Sequence, residues 1–304
     1  MRENGRTFDW GRVITAMVTP FDANLAVDYG QAARLARRLV ETGTQAVLVG
    51  GTTGESPTLN DNEKARLLEA VLDAVGDRVA VLAGTGNYST SSSVAATKQA
   101  EAIGAAGVML VAPYYNKPPQ SGLYEHFKTV AAATRLPVMI YNIPGRTGVN
   151  ITPETVAKLS RIDNIVALKE AAGSVDQAAE MVRAVEGRMR VYSGDDSLTL
   201  PMMAVGAYGV VSVATHVAGP AVAEMVHAFT AGDTARATAL HHKLLPLFRA
   251  LFVTTNPIPV KAALRLVGLD VGGLRLPLVE ATEEQVAVIR KAMIEAGIEL
   301  RPPE

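Results

Sequence analysis

The residue in this sequence best suited to chemistry is Lys169, which directly follows the apolar run Ile165-Val166-Ala167-Leu168 and precedes Glu170. A lysine at the end of a buried strand either snorkels to solvent or loses its hydration, and lost hydration favours the neutral amine. A neutral amine attacks a ketone to form a Schiff base, whose protonated nitrogen then draws electrons from the adjacent carbon. Taken alone, Lys169 reads equally well as a partner for Glu170 or as a solvated charge.

Other polar groups gather at the ends of similar apolar runs. Ala46–Val49 leads into Gly50-Gly51-Thr52-Thr53-Gly54-Glu55-Ser56, a turn offering backbone N–H groups and two hydroxyls to a carboxylate or phosphate. It has no Walker lysine and is not G-x-G-x-x-G; by itself it is equally a tight turn with capping hydroxyls. Val108–Val111 leads into Pro113-Tyr114-Tyr115-Asn116, and Val138–Tyr141 into Asn142-Ile143-Pro144-Gly145-Arg146-Thr147-Gly148. A single tyrosine ordinarily fills a core or rim, but tyrosines at neighbouring strand ends suggest a shared site. Arg146, in a glycine-bounded loop, could clamp a carboxylate bidentately or simply face water.

Positioning these groups requires a repeating frame. Val13–Val18, Ala46–Val49, Val79–Ala83, Val108–Val111, Val138–Tyr141, Ile165–Leu168, Val191–Ser193 and Gly209–Val213 recur about every thirty residues, each continuously apolar, as in a parallel strand covered on both faces. Helix starts lie between them: Asp28 with Gln31, Asn60 with Glu63, Ser174 with Gln177, and Thr152 before Pro153. Leu35, Ala36, Leu39 and Val40 share one helical face, and Gly43 is placed to end that helix. The alternation predicts an α/β fold, a (β/α)8 TIM barrel, with an open doubly wound sheet as the alternative. From Ser197 to Ala223 there is no charged side chain, yet Pro201, Gly206, Gly209, Gly219 and Pro220 interrupt the stretch. It is read as a short helix, a strand and a loop rather than a membrane span. Ala235–Phe252, Pro259–Val267 and Thr282–Ala296 read as amphipathic helices, so a catalytic barrel over 1–225 and a C-terminal helical region over 226–304 are expected.

Composition narrows the partners. With 48% hydrophobic and 19% charged residues the chain is globular, and 29 basic against 30 acidic side chains give no field that would recruit nucleic acid or a membrane. Small-molecule substrates are the better expectation. The absence of cysteine removes thiolate metal sites and cysteine nucleophiles. Met1 to Arg12 mixes Arg2, Glu3, Arg6, Asp9 and Arg12 with polar residues and lacks the apolar core of an export signal, so a cytoplasmic protein is expected.

Together, Gly51 to Ser56, Pro113 to Asn116, Tyr141 to Gly148, Lys169-Glu170, Ser193-Gly194-Asp195-Asp196 and Asn256-Pro257-Ile258-Pro259-Val260-Lys261 resemble the pyruvate-dependent class I aldolase and N-acetylneuraminate lyase superfamily, and within it the dihydrodipicolinate synthase family. The resemblance spans essentially the whole chain. It implies that Lys169 forms the Schiff base with pyruvate and that Tyr141 shuttles protons to it, in a hydroxyl relay with Thr52 and Tyr115. It also implies that Thr53 holds the pyruvate carboxylate, that Arg146 orients the relay and receives the carboxylate of aspartate semialdehyde, and that Gly194 and Val211 line the pyruvate pocket. No cofactor beyond the covalent Schiff base and no metal is implied. The tyrosine matching Tyr115 or its neighbour reaches across a tight dimer in this family, commonly paired into a homotetramer. Feedback inhibition by lysine in some members uses histidines and a glutamate where Pro57, Asp61, Lys64, Tyr88 and Ser92 stand here, so weak inhibition is expected.

Three other readings compete. Sister enzymes cleave N-acetylneuraminate or keto-deoxy sugar acids with the same lysine and tyrosine; Thr53 in Gly-Thr-Thr-Gly and the presence of Arg146 favour the synthase. A metal-dependent barrel would draw on Glu55, Glu170, Asp195 and Asp196, although the two aspartates read better as a helix cap or as facing water. His126, His216, His227, His241 and His242 show no ligand spacing. A barrel that binds without catalysing is disfavoured by the intact lysine, tyrosine, threonine and arginine set.

Overall fold

The computed structural model describes residues 2–3, 6–7 and 9–301, with side chains from residue 9 onward. The eight apolar runs form Val13–Ala16, Ala46–Val49, Ala80–Gly84, Gly107–Val111, Val138–Asn142, Ile165–Glu170, Arg190–Ser193 and Gly209–Ser212. Each pairs in parallel with the next, and the eighth closes on the first through Val210 opposite Val13 and Val211 opposite Ile14. Closure excludes the open doubly wound sheet and makes a (β/α)8 barrel with helices outside.

The period of two along each strand sorts side chains between two environments. Ile14, Leu48, Leu82, Met109, Met139, Tyr141, Ala167, Tyr192 and Val211 fill the interior. Val47, Val81, Leu110, Ile140, Leu168, Val191 and Val210 pack outward among the helices. The sixth strand runs two residues beyond the expected Leu168, because Lys169 pairs with Tyr141 and Glu170 with Asn142 and Ser193. Alternation then turns Lys169 inward with Ala167 and Glu170 outward with Leu168.

Helix starts follow the capping signals. Asp28, Thr152 and Ser174 each accept from the backbone three residues on, while Asn60 and Glu63 form a reciprocal capping box. Gly43, at φ +102°, turns the chain just past the first helix, a conformation open to glycine. The loop expected at the end of the uncharged stretch is instead a helix, Thr215–Thr230. A kink at Ala218 breaks this helix locally, so Gly219 and Pro220 open a second helical segment, where the missing proline N–H is tolerated. Residue 225 lies inside this helix.

The remaining helices, Thr234–Ala250, Ile258–Leu266 and Glu283–Glu295, match the expected C-terminal set, and the last opens on the Thr282–Gln285 capping box. Their Leu247, Phe248, Val260, Leu264, Ile289 and Met293 join the outer core of the barrel. Among the described residues, no helix is long and apolar enough to cross a membrane.

The second and third strand ends approach so closely that a Cβ on Gly84 would overlap the Gly50 carbonyl oxygen and lie 2.8 Å from its carbon and 3.0 Å from the Gly51 nitrogen. Gly84→Ala should therefore displace the Gly50–Ser56 turn and destabilise the fold by about 1–3 kcal/mol, read from the denaturant midpoint. An unchanged midpoint would show that the turn has slack.

Candidate active site

Lys169 and Tyr141 are paired neighbours on adjacent strands, both facing the interior, and the Lys169 Nζ lies 4.2 Å from the centre of the Tyr141 ring. Lys169 is only 5% exposed. Burial lowers its pKa from the ordinary 10.5 to about 7; the Asp196 charge resists the shift, and Arg146 adds to it. The stem of this lysine occupies space that only glycine leaves free. A Cβ at Gly194 would stand 2.8 Å from the Ala171 Cβ, 3.0 Å from the Lys169 Cε and 3.1 Å from its Cγ. Val211 is buried in the same interior cluster as Tyr141.

The Thr52 side chain lies beside the Tyr141 hydroxyl. Burial raises the phenol pKa well above its ordinary 10, while Arg146 and Thr52 act against that shift, so the hydroxyl stays protonated at neutral pH. Thr52, Tyr114, Ile143 and Arg146 line a cavity of about 490 Å³ that also reaches Pro57, Lys64 and Tyr88. The Arg146 Nη2 donates to the carbonyl of Asn256 at 3.1 Å. Thr53 is buried, and its Oγ1 accepts from the Asn256 Nδ2 at 2.9 Å. Tyr115 stands apart: it is 90% exposed at φ +72° and does not reach Tyr141 within this chain, whereas its neighbour Tyr114 lines the cavity.

The carboxylates sort differently from the simplest sequence reading. Glu170 does not pair with Lys169; it accepts from the Asn142 Nδ2 at 3.0 Å, the Ala172 N–H at 2.7 Å and the Gln177 Nε2 at 3.2 Å. Asp195 caps the short turn after the seventh strand by accepting from the Ser197 N–H at 2.8 Å, as expected. Asp196 neither caps nor faces water. It is buried, held by the Ser212 hydroxyl and by the Val213 and Ala214 N–H groups at 2.9 Å each, and its charge supports protonated Lys169. Glu55 forms a fully buried ion pair with Lys261 at 2.7 Å.

His216 is likewise structural: its Nε2 accepts from the Val18 N–H at 3.1 Å, its Nδ1 meets the Val213 carbonyl at 2.8 Å, and burial lowers its pKa to about 4. Among the described residues, no three His, Asp or Glu gather as a metal-holding group. Two contributors escaped the sequence reading. Asp196 is indistinguishable from Asp195 until the chain turns back, and Asn256 meets Thr53 across 203 positions, which no local spacing reveals.

A closed eightfold parallel barrel with a buried, poorly hydrated lysine beside a tyrosine at its C-terminal mouth defines the class: (β/α)8 barrels that gather polar side chains at the strand ends. Within that class the chain belongs to the dihydrodipicolinate synthetase family, whose sequence profile matches residues 9–296. It is 57% identical to the 4-hydroxy-tetrahydrodipicolinate synthase of Desulforamulus reducens, over 94% of this chain and 97% of that protein. The crystal structure of dihydrodipicolinate synthase from Bacillus anthracis superposes with a TM-score of 0.92 at 50% identity, covering 95% of this chain and 99% of the other. That of the Cyanidioschyzon merolae enzyme with lysine bound gives 0.94 at 49%, with coverage of 95% and 99%.

Burial of Lys169 carries a stability penalty with a definite sign. The folded amine releases its proton near pH 7 and the unfolded one near 10.5, so the penalty is full below about 7 and fades as pH rises toward 10.5. Lys169→Met should raise the thermal midpoint at neutral and mildly acidic pH, with a gain that shrinks on the alkaline side; a loss of stability at neutral pH would contradict this. Asp196→Asn removes the charge that supports the ammonium and should move the pH dependence of Lys169 reactivity toward acid, whereas a move toward alkali would exclude that role.

Proposed function

We propose that this protein is a lyase that condenses pyruvate with L-aspartate 4-semialdehyde to give 4-hydroxy-tetrahydrodipicolinate, in the route to diaminopimelate and lysine. The observation that carries this reading is the burial of Lys169, with its pKa brought to about 7, against Tyr141. The neutral Nζ attacks the pyruvate ketone, the adduct loses water, and the resulting iminium gives up a methyl proton to become an enamine. The enamine carbon attacks the aldehyde. The amine of the second substrate then displaces Lys169 as the ring closes.

Tyr141, with Thr52 beside it, moves protons at the reacting nitrogen and oxygen. Tyr115, exposed in a single chain, completes the relay from a neighbouring copy, which makes a tight dimer the working unit and two such dimers a homotetramer. Thr53 holds the pyruvate carboxylate, and Arg146, at the cavity, receives that of the aldehyde. Gly194 and Val211 shape the pyruvate pocket. The covalent bond to Lys169 takes the place of a cofactor. The barrel supplies these groups, the C-terminal helices that follow Thr215–Thr230 brace them, and the enzyme works in the cytoplasm.

The cavity at Thr52 and Arg146 continues to Lys64 and Tyr88. An ammonium on Lys64 repels the cationic amino acid lysine, which supports weak feedback inhibition. Half-inhibition of turnover at sub-millimolar lysine would contradict this.

Incubation with pyruvate followed by borohydride should add one reduced pyruvate to Lys169, located by peptide mass, and Lys169→Ala should abolish it. Lys261, the other deeply buried lysine, is held by Glu55 and should stay unmodified. An adduct on Lys261, or turnover of N-acetylneuraminate in preference to aspartate semialdehyde, would overturn the reading.

A further inference from the structure

Thr53 and Asn256 are both buried, and the contact between them joins the glycine-rich turn of the second strand to the chain just before the C-terminal helix Ile258–Leu266. The bond has a direction: the Asn256 amide donates and the Thr53 oxygen accepts. A hydroxyl carries one proton, and when its oxygen is engaged by an outside donor that proton must find another acceptor. Among the described residues the protein supplies none. The Asn256 Oδ1, in turn, is buried without a partner. A buried acceptor left unpaired is unfavourable, which marks this amide as oriented by its N–H side rather than settled into a fully satisfied network.

We infer that Asn256 is a positioning residue that fixes the polarity of the Thr53 hydroxyl, keeping its proton available as a donor to the keto-acid carboxylate. The inference rests on the reading that Thr53 holds that carboxylate. Asn suits the task because it donates without bringing charge; Asp at the same place would accept the Thr53 proton and withdraw it from the substrate. The same residue touches Arg146, but through its main-chain carbonyl, a bond that substitution of the side chain leaves in place. The two contacts therefore separate the two substrates. The side chain bears on pyruvate, whereas the main chain bears on the aldehyde.

The test is the pyruvate concentration that gives half-maximal borohydride trapping at Lys169, measured without the aldehyde, for Asn256→Leu and Asn256→Asp in the otherwise unaltered protein and in a Thr53→Val background. Half-saturation does not depend on the fraction of folded protein, so partial misfolding cannot imitate the effect. Asn256→Leu should raise it about three- to tenfold, the scale of one oriented hydrogen bond, and Asn256→Asp should raise it further. In the Thr53→Val background Asn256→Leu should add less than about twofold, because the residue acts through the hydroxyl. The steady-state KM for the aldehyde should stay within about twofold in Asn256→Leu. Unchanged pyruvate half-saturation in both variants, or an equal effect of Asn256→Leu with and without the Thr53 hydroxyl, would overturn the proposal. So would a rise in the aldehyde KM as large as that for pyruvate. If the unaltered protein gains no pyruvate adduct at all, the reading of the site fails and takes this inference with it.

Discussion

The desolvation of one ammonium group governs the structure at the mouth of the barrel. Lys169 faces inward because a strand alternates, and it is dry because the neighbouring strands present Tyr141 on one side and Tyr192 on the other. Water would hold the amine protonated and inert; packing removes the water and makes the neutral form accessible near pH 7. The contrast with Lys261 is instructive. That lysine is also deeply buried, and burial lowers its pKa too, but the Glu55 carboxylate 2.7 Å away acts against the shift and the side chain serves as a strut between the glycine-rich turn and the C-terminal helices. Lys169 has only the support of Asp196, whose own oxygens are committed to Ser212, Val213 and Ala214.

Charge is placed around that amine with equal economy. Both proposed substrates are anionic, so the site needs donors, yet a second ammonium at the reacting carbon would compete for the carboxylate without adding chemistry. The donors available are a guanidinium at the cavity and hydroxyls on the turn, and both are braced by one residue of the C-terminal region, Asn256. The helical appendage is thus part of how the site is held as well as a cover for the barrel. Glu170, the carboxylate next to Lys169 in the chain, is turned through the wall and absorbed by Asn142 and Gln177, which keeps a negative charge away from the incoming anions.

Much of this architecture was legible in the sequence, because it rests on local rules. Continuous apolar runs mark strands buried on both faces, and Asp28, Asn60, Thr152, Ser174 and Thr282 announce helix starts that the backbone takes up. The strand from Ile165 outlasts its apolar run: Lys169 and Glu170 look like a polar boundary, whereas pairing with Tyr141 and Asn142 carries the ladder through them. Gly219-Pro220 looked like a loop because a kink that restarts a helix has no local signature. At the site, Lys169, Tyr141, Thr52 and Arg146 come together as their positions after successive strands suggest. Asp196 and Asn256 carry no local signal, because their partners lie 16 and 203 residues away and such contacts exist only once the barrel has closed.

The central claim is a statement about a single proton, so it is tested most directly by titrating that proton. Lysine labelled with ¹³C at Cε, with Lys169→Arg used to assign the resonance, reports the ionisation of each amine in the folded protein without substrate. The account predicts that Lys169 titrates with a midpoint near 7, far below the exposed lysines. A midpoint near the ordinary 10.5 would contradict it.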